Sequence, residues 1–187
     1  IDIGGGTTEI AVIALSGIVT DQSIRIAGDE FTNDIIDYMK RKHNILIGER
    51  TAEQIKIHAG AAMAEIQDAP PKYAVNGRDL LTGIPKQVFT SHGEVAEALD
   101  KSIAKIEEAI LKALEDTPPE LSSDIFKTGL YLTGGGALLR GLDVRISLKT
   151  KLNVIIADDP LRAVVRGTGM ALKNSHKFSF LIDRKSI

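Results

Sequence analysis

The sequence contains neither cysteine nor tryptophan, and aromatic residues make up only 4% of its 187 residues. Without cysteine the chain can form no disulfide bond, no thiolate metal site and no cysteine nucleophile. It also carries little net charge, with a formal value of -2 at pH 7. Because nucleic acid is bound through a concentrated basic surface, this balance argues against a nucleic-acid partner.

Long apolar runs are missing as well. No stretch reaches the roughly 18 to 20 apolar residues that span a bilayer, and the chain does not open with a basic segment and an apolar signal core. What is present is a globular composition, with 43% apolar and 26% charged residues. We therefore expect a cytoplasmic protein. The chain starts without methionine, inside the apolar run Ile1-Asp2-Ile3, so we expect a fragment of a longer protein.

The N-terminal part of the chain has strand patterns followed by a helix pattern. Residues 1–3, 9–15 and 17–27 are rich in isoleucine and valine and are separated by glycine turns, which predicts three largely antiparallel strands. Apolar residues then recur at helical spacing in residues 28–44. This predicts a helix that leaves the sheet.

Residues 28–91 are predicted to form a small α+β insertion. A second helix is expected from Thr51, which has capping-box spacing to Gln54, to about Ala64. Short strands are expected within residues 73–90, with Asn76-Gly77 as the turn of a hairpin.

A long helix should follow, because Ser91 and Glu94 form another capping-box pair and Pro118-Pro119 would end the helix. Its apolar stripe consists of Val95, Leu99, Ile103, Ile106, Ile110 and Leu114.

The remaining pattern is that of an α/β layer. A short helix is predicted at 119–126, strands at 130–133 and 153–157, and a helix from Ala137 towards Leu148. Asp159-Pro160 would cap and open a last helix, through Leu172, in which Gly167 and Gly169 would permit close helix packing.

Three consecutive glycines, Gly4 to Gly6, separate the first two predicted strands. Their backbone N–H groups can converge on an anion without obstruction by side chains, and phosphate is the expected ligand. Asp2 could hold Mg²⁺ through water, and Thr7 and Thr8 could add hydroxyl donors. Taken alone, however, a glycine triplet is better explained by a glycine-rich hairpin with a solvated aspartate.

A second glycine turn follows the strand predicted at 130–133. Its residues Gly134, Gly135, Gly136 and Ala137 lead into a predicted helix, whose N-terminus would suit a nucleotide. Close packing of strand and helix is the competing explanation. Neither turn continues as a Walker A loop or as the dinucleotide fingerprint Gly-x-Gly-x-x-Gly. Two such turns in one short chain favour a nucleotide site of another kind.

The runs Asp2 to Glu9 and Leu132 to Leu139 resemble the phosphate-2 and adenosine motifs of the actin, Hsp70 and sugar-kinase superfamily. Within it the sequence is most similar to the MreB group of bacterial rod-shape actins, which includes the MreB-like (Mbl) proteins. The resemblance covers residues 1–173, the second half of such a protein, and leaves the tail from Asn174 unmatched. Runs specific to this group are residues 23–30, 47–56, 77–83 and 117–121.

The resemblance implies an α/β fold of the actin-like ATPase (ribonuclease H-like) type with a smaller α+β subdomain inserted. Residues 1–27 plus 92–187 would form the core lobe, subdomain IIA. Residues 28–91 would form the inserted subdomain IIB.

It also implies which residues contact ATP or ADP. Gly4, Gly5, Gly6 and Thr7 would hold the β- and γ-phosphates, and Asp2 would act in catalysis by positioning magnesium-bound water. The run Glu53-Gln54-Ile55-Lys56 would border the adenine and ribose, although the spacing of Glu53 and Lys56 alone fits a surface ion pair worth ~0.3 kcal/mol. The residues that would line the purine side are Gly134, Gly135, Gly136 and Ala137.

The implied function is that of an ATP-controlled filament subunit that directs cell shape and cell-wall synthesis. Expected partners are copies of itself and membrane-bound cell-shape and wall-synthesis proteins, at the inner face of the cell membrane. Membrane contact, the phosphate-1 aspartate and the water-activating glutamate would belong to an absent first domain, so this chain alone should hydrolyse little ATP. A sugar-kinase-like phosphotransferase and a non-catalytic adaptor remain alternatives.

Overall fold

Strands and helices alternate along the residues that the computed structural model describes, which are 1–15, 17–176 and 178. Most of the tail from Asn174 therefore lies outside the described residues. The strands are β1 (Asp2–Ile3), β2 (Thr8–Ala14), β3 (Gly17–Ile24), β4 (Ile45–Leu46), β5 (Tyr73–Asp79), β6 (Pro85–Thr90), β7 (Leu130–Leu132) and β8 (Val154–Ile156). The α-helices are α1 (Gly28–His43), α2 (Glu49–Ala59), α3 (His92–Glu115), α4 (Pro119–Thr128), α5 (Leu142–Thr150) and α6 (Ala163–Lys173).

The strands at the two ends of the chain meet in one sheet. β1, β2 and β3 are antiparallel, as their sequence predicted, and β7 and β8 are parallel. The backbone N–H of Ile3 donates to Thr133 O at 2.9 Å, and that of Thr133 donates to Ile1 O at 2.8 Å. β1 therefore lies between β2 and β7, and the order is β3-β2-β1-β7-β8. A second, separate sheet has the order β4-β5-β6.

Helix α3 joins the two sheets, because its apolar stripe packs into one core that includes residues of both. Both capping-box bonds form at its start, with Glu94 N donating to Ser91 Oγ and Ser91 N donating to Glu94 Oε2. Each apolar side chain of the stripe that is fully buried stabilises the fold by about 1.5 to 3 kcal/mol. The fully buried members of the stripe are Leu99, Ile103, Ile106 and Ile110.

The second helix differs from its prediction. α2 begins at Glu49, with Gly48 as N-cap and no side-chain cap, and it ends at Ala59. The Thr51–Gln54 pair therefore lies inside the helix. Because Gly48 O already accepts from the N–H groups of Thr51 and Ala52, the backbone starts this helix without a capping side chain.

The predicted Asn76-Gly77 turn is also wrong. Both residues lie inside β5, opposite Gln87 and Lys86 of β6. A β-carbon on Gly77 would lie 2.5 Å from the carbonyl oxygen of Leu46, so the glycine permits close approach of β4 instead of a turn.

Two helix starts near the C-terminal end differ as well. Residues Gly135–Leu138 form a short 3-10 helix, and α5 begins only at Leu142. Asp159 has φ 46° and makes no side-chain cap; Pro160–Arg162 form a second 3-10 helix before α6. Outside the backbone of α6, no described atom lies within 4 Å of a β-carbon built on Gly167 or Gly169, so the close packing predicted there does not occur among the described residues.

Candidate nucleotide-binding site

Both predicted glycine turns open onto one cavity of about 630 Å³. The cavity lies where the β1–β2 turn, the first turn of α1, helix α2 and the 3-10 helix Gly135–Leu138 meet. This volume is within the range of small-molecule sites, roughly 300 to 1,000 Å³. Its lining residues are Gly4, Gly5, Gly28, Asp29, Phe31, Glu53, Lys56, Ile57, Gly135, Gly136, Leu138, Leu139 and Leu161.

The first turn is held by the backbone alone. Gly4 N donates to Thr7 O at 3.0 Å, and the start of α1 fixes the turn from outside, because Gly28 N donates to Gly4 O and Asp29 N to Gly5 O. The N–H groups of Gly5 and Gly6 have no acceptor among the described residues. Unpaired backbone donors on a glycine turn are suited to an anion such as phosphate.

Asp2 is the first residue of the two-residue strand β1, which leads into this turn. Its carboxylate packs directly against Gly134 and makes no hydrogen bond or ion pair with a described residue. Mg²⁺ is usually held in proteins by one or two carboxylates, several waters and the substrate phosphates. Asp2 does not line the cavity itself, but an unpaired carboxylate next to the glycine turn fits that mode of binding.

Lys56 is tied to the start of α1 instead of forming an isolated surface pair. Its ammonium lies 2.6 Å from Glu53 Oε2, and it donates to Gly28 O at 2.7 Å and to the Thr32 hydroxyl at 3.0 Å. The side chain is only 16% exposed. The network places one positive charge at the edge of the cavity, next to the glycine turn.

The second turn packs on strand β1, which leads into the first turn. Gly134 has φ +80°, and a β-carbon on Gly136 would overlap the buried side chain of Ile3. Pro160 O fixes the turn by accepting from Gly134 N at 3.0 Å and from Thr133 Oγ1 at 3.1 Å. The glycines therefore serve close strand packing and line the cavity at the same time.

Not every residue predicted to contact a nucleotide lines the cavity. Ile55 and Ala137 are fully buried in the core, so their side chains face away from it. Gln54 is exposed on the outer side of α2, where His58 lies 3.2 Å from its Oε1. Gly6, Thr7 and Gly134 belong to the two turns, but their atoms are not part of the cavity wall.

The structure adds residues that sequence reasoning missed. At the glycine end, Asp29 places its carboxylate beside Gly5 and Gly6. Its position directly after Gly28, inside a group-specific run, could have drawn attention to it. Apolar side chains complete the wall, and no sequence pattern marks its members: Phe31, Ile57, Leu138, Leu139 and Leu161.

The described residues include no helix long and apolar enough to cross a membrane.

Their fold is found in solved structures of actin-like proteins. MreB5 of Spiroplasma citri bound to AMPPNP matches with a TM-score of 0.89 and 38% identity, over 94% of this chain and 52% of that chain. The structure of MreB5 bound to ADP matches with a TM-score of 0.90 and 36% identity, over 98% of this chain and 54% of that chain. The MamK filament, at 20% identity and a TM-score of 0.73 over 93% of this chain and 53% of that chain, shares the fold.

The fold and the paired glycine turns thus define an actin-like protein. Residues 1–179 match the family model described as MreB/Mbl protein, and the chain belongs to this family of cell shape-determining proteins.

Two curated relatives illustrate the match. Mbl of Bacillus subtilis is 46% identical over 177 residues, which are 95% of this chain and 53% of the relative. MreB of Escherichia coli is 47% identical over 173 residues, 92% of this chain and 49% of the relative. The chain therefore spans about half the length of the curated relatives it matches.

Proposed function

We propose that this chain is the nucleotide-binding half of an actin-like protein that forms ATP-dependent filaments and directs cell shape and cell-wall synthesis. The observation that carries the proposal is that both glycine turns open onto one cavity, whose wall combines glycine and charged residues with apolar side chains. Similarity supports the choice of ligand, because the MreB5 structures are described as bound to AMPPNP and to ADP.

The nucleotide would lie along the cavity with its phosphates at the turn Gly4 to Thr7. The free N–H groups of Gly5 and Gly6 would donate to phosphate oxygens. The purine would lie between the apolar wall and the turn Gly134 to Ala137, and Lys56 with Glu53 would border the ribose.

Asp2 would hold Mg²⁺ through water. A bound Mg²⁺ supplies positive charge that neutralises the phosphates and stabilises the charge transferred in hydrolysis. The role of Asp2 is then to orient a water ligand, because its carboxylate is fixed against Gly134 and accepts no hydrogen bond from a described residue.

We further propose that residues 1–27 with 92–187 form subdomain IIA and that residues 28–91 form an inserted subdomain IIB. The separate sheet β4-β5-β6 supports this division, since its strands pair with none of the other described strands. The hydrophobic core nevertheless continues across both parts, so they should move together in this chain.

Self-association into filaments at the inner face of the cell membrane, with membrane-bound wall-synthesis partners, completes the proposal. Its support is that the relatives are named cell shape-determining proteins and that two MamK structures, which share only the fold, are of filaments.

Calorimetric titration of the 187-residue chain tests the proposal. Mg-ATP and Mg-ADP should bind and raise the melting temperature, whereas adenosine alone and triphosphate alone should each bind more weakly, since each fills one end of the cavity. Absence of binding and of a thermal shift at millimolar Mg-ATP would refute nucleotide binding and favour the non-catalytic adaptor.

A further inference from the structure

One arginine connects the C-terminal end of helix α2 to the second glycine turn. Arg140 directly follows Leu139, which lines the cavity. Its Nη1 donates to Ile57 O and to Gly60 O, at 3.2 Å in each case. Ile57 lies in the last turn of α2, and Gly60 is the C-cap. Because the last carbonyl groups of a helix lack partners within it and form the negative end of its dipole, a cation is well suited to this position.

The nearby Arg145 has a different environment. It donates to Ala62 O at 3.0 Å, but its guanidinium is also paired with Glu107 at 2.8 Å and with Asp100 at 2.9 Å. Removing one member of a largely buried ion pair is strongly destabilising, so stability explains Arg145. Arg140, in contrast, is exposed and forms no ion pair with a described residue. Within the described part of the chain, its side chain donates only to the end of α2.

The contact made by Arg140 lies directly behind the cavity wall, because Ile57 and Leu139 both line the cavity. Gly60 permits the close approach of helix and turn, since a β-carbon there would lie 3.0 Å from Leu139 Cδ1. The chain beyond the helix is fixed separately by the backbone, where Ala62 N donates to Arg140 O at 2.8 Å. The Arg140 side chain therefore holds the last turn of α2 itself against the second glycine turn.

We infer that Arg140 is a positioning residue that sets the width of the nucleotide site on its purine side. The inference rests on the proposed function and adds to it a residue that does not itself line the cavity. Helix α2 belongs to the proposed subdomain IIB, and the second turn belongs to the proposed subdomain IIA. Arg140 thus holds together two walls of the cavity that different subdomains supply. A site held in one arrangement before binding has a higher affinity, because the ligand then orders fewer groups.

This role of Arg140 implies a selective loss of affinity when its bonds are removed. Neutral adenosine depends on close contact with the cavity walls, whereas a phosphate chain interacts chiefly with the backbone donors of the first turn. Loss of the two bonds should therefore weaken the binding of adenosine and leave tripolyphosphate unaffected. Loss of the positive charge as such would have the opposite pattern, because an anion responds to it more strongly than a neutral ligand.

Two substitutions at this position and one control test the inference. Arg140→Met removes both bonds but keeps an apolar stem. Arg140→Lys should retain them, because both come from a single nitrogen and an ammonium group has three donors. Arg162→Met is the matched control. It removes the same charge next to the cavity-lining Leu161, but Arg162 is paired with Asp159 and not with α2.

Calorimetric titration with Mg-ATP, adenosine and Mg-tripolyphosphate gives the first readout. Arg140→Met should bind adenosine and Mg-ATP about tenfold more weakly than the unsubstituted chain, a loss of the size expected for two hydrogen bonds. Its affinity for tripolyphosphate should change by less than about twofold. Arg140→Lys should recover most of the lost affinity, and Arg162→Met should bind all three ligands like the unsubstituted chain.

Hydrogen exchange without nucleotide gives a second readout, which does not depend on ligand binding. Gly60 N donates to Lys56 O at 3.1 Å and Ala62 N to Arg140 O at 2.8 Å, so both amides should be protected. In Arg140→Met they should exchange at least about fivefold faster, because the end of α2 opens more often. The amides of α3 should exchange as in the unsubstituted chain, which would exclude a general loss of stability.

Several outcomes would overturn the inference. They are equal affinity of Arg140→Met and the unsubstituted chain for adenosine and Mg-ATP, a loss confined to tripolyphosphate, an equal loss for all three ligands, and unchanged exchange at Gly60 and Ala62. The first of these leaves the proposed function intact, because the unsubstituted chain still binds nucleotide. Absence of nucleotide binding by the unsubstituted chain would instead refute the proposed function and this inference together.

Discussion

The carboxylate of Asp2 fills the space that a β-carbon on Gly134 would need. Gly134 is also left-handed, with φ +80°, and its missing side chain leaves room for the carbonyl oxygen of Ile3. The residue that we propose for magnesium-bound water and the turn that we propose for the purine are thus in direct contact. A change in one should be transmitted to the other.

Replacing Gly134 by alanine should therefore destabilise the protein by about 2 to 4 kcal/mol, because strain at φ +80° adds to the overlap with Asp2 and Ile3. Gly167→Ala is the control. It lies in α6 with no described atom near its β-carbon and should stabilise the helix by about 0.5 to 1 kcal/mol. Urea unfolding measures both, and equal effects of the two substitutions would show that the turns are not tightly packed.

Much of the fold could be predicted because its signals are local. The isoleucine- and valine-rich strands β2 and β3 and the capping box at Ser91 are each encoded within a few residues, and the structure confirms them. The predicted start of α2 and the predicted Asn76-Gly77 turn were wrong for different reasons. The backbone of Gly48 starts α2 without the Thr51–Gln54 motif, and Gly77 is needed for the approach of β4, which is distant in sequence.

The candidate site was predictable at its glycine turns and, through the resemblance, at Glu53 and Lys56, but not at its apolar wall. Glycine triplets are visible in any sequence, whereas the apolar wall is assembled from α2, the second turn and Leu161, which lie about a hundred residues apart. Ile55 was predicted to border the nucleotide, but the rotation of α2 about its axis directs its side chain into the core. Resemblance gives positions along a chain, and the rotation of a helix decides which of them face a ligand.

Lys56→Met should weaken binding of Mg-ATP and Mg-ADP by about tenfold, because it removes the positive charge beside the phosphate turn and frees Glu53. Lys101→Met, at an exposed position on α3, should leave affinity unchanged. Calorimetric titration gives the affinities, and urea unfolding separates a binding effect from the cost of leaving Gly28 O unpaired. Unchanged affinity in Lys56→Met would reduce Lys56 to a structural role.

Leu161→Asp should also weaken nucleotide binding, because a charged side chain in the apolar wall opposes burial of a purine. Leu161 is 66% exposed, so the fold should tolerate the change. The matched control is Leu172→Asp, because Leu172 is 69% exposed on α6 and does not line the cavity. If adenosine and Mg-ATP bind both variants equally well, the purine lies elsewhere.

Because of Asp79, the free energy of unfolding should depend on pH in the acidic range. Backbone donation from Thr82, followed by Lys86 and Leu81 N–H, holds the pKa of the Asp79 carboxyl well below its usual range. A carboxylate whose pKa is depressed in the folded state contributes its full stabilisation of the fold at pH values above its unfolded pKa of about 3.9. This contribution is lost as the pH falls from there towards the folded-state pKa. Asp79→Asn should therefore be less stable than the unsubstituted chain at pH 7, and the difference should shrink below about pH 4. Urea unfolding at several pH values checks this, and a constant difference down to pH 2 would contradict it.

The isolated chain should hydrolyse ATP no faster than a protein-free blank. Hydrolysis needs a positioned water and groups that stabilise the transferred charge, and the MreB resemblance assigns the water-activating glutamate to the half of the relatives that this chain does not cover. A sensitive phosphate-release assay with Mg-ATP measures this, with Asp2→Ala and Asp29→Asn as companions. Turnover that is lost in Asp2→Ala would place the essential groups within this chain. Turnover that is lost only in Asp29→Asn would instead identify the carboxylate beside Gly5 and Gly6 as the base, because it is the acidic group nearest to the proposed phosphate position.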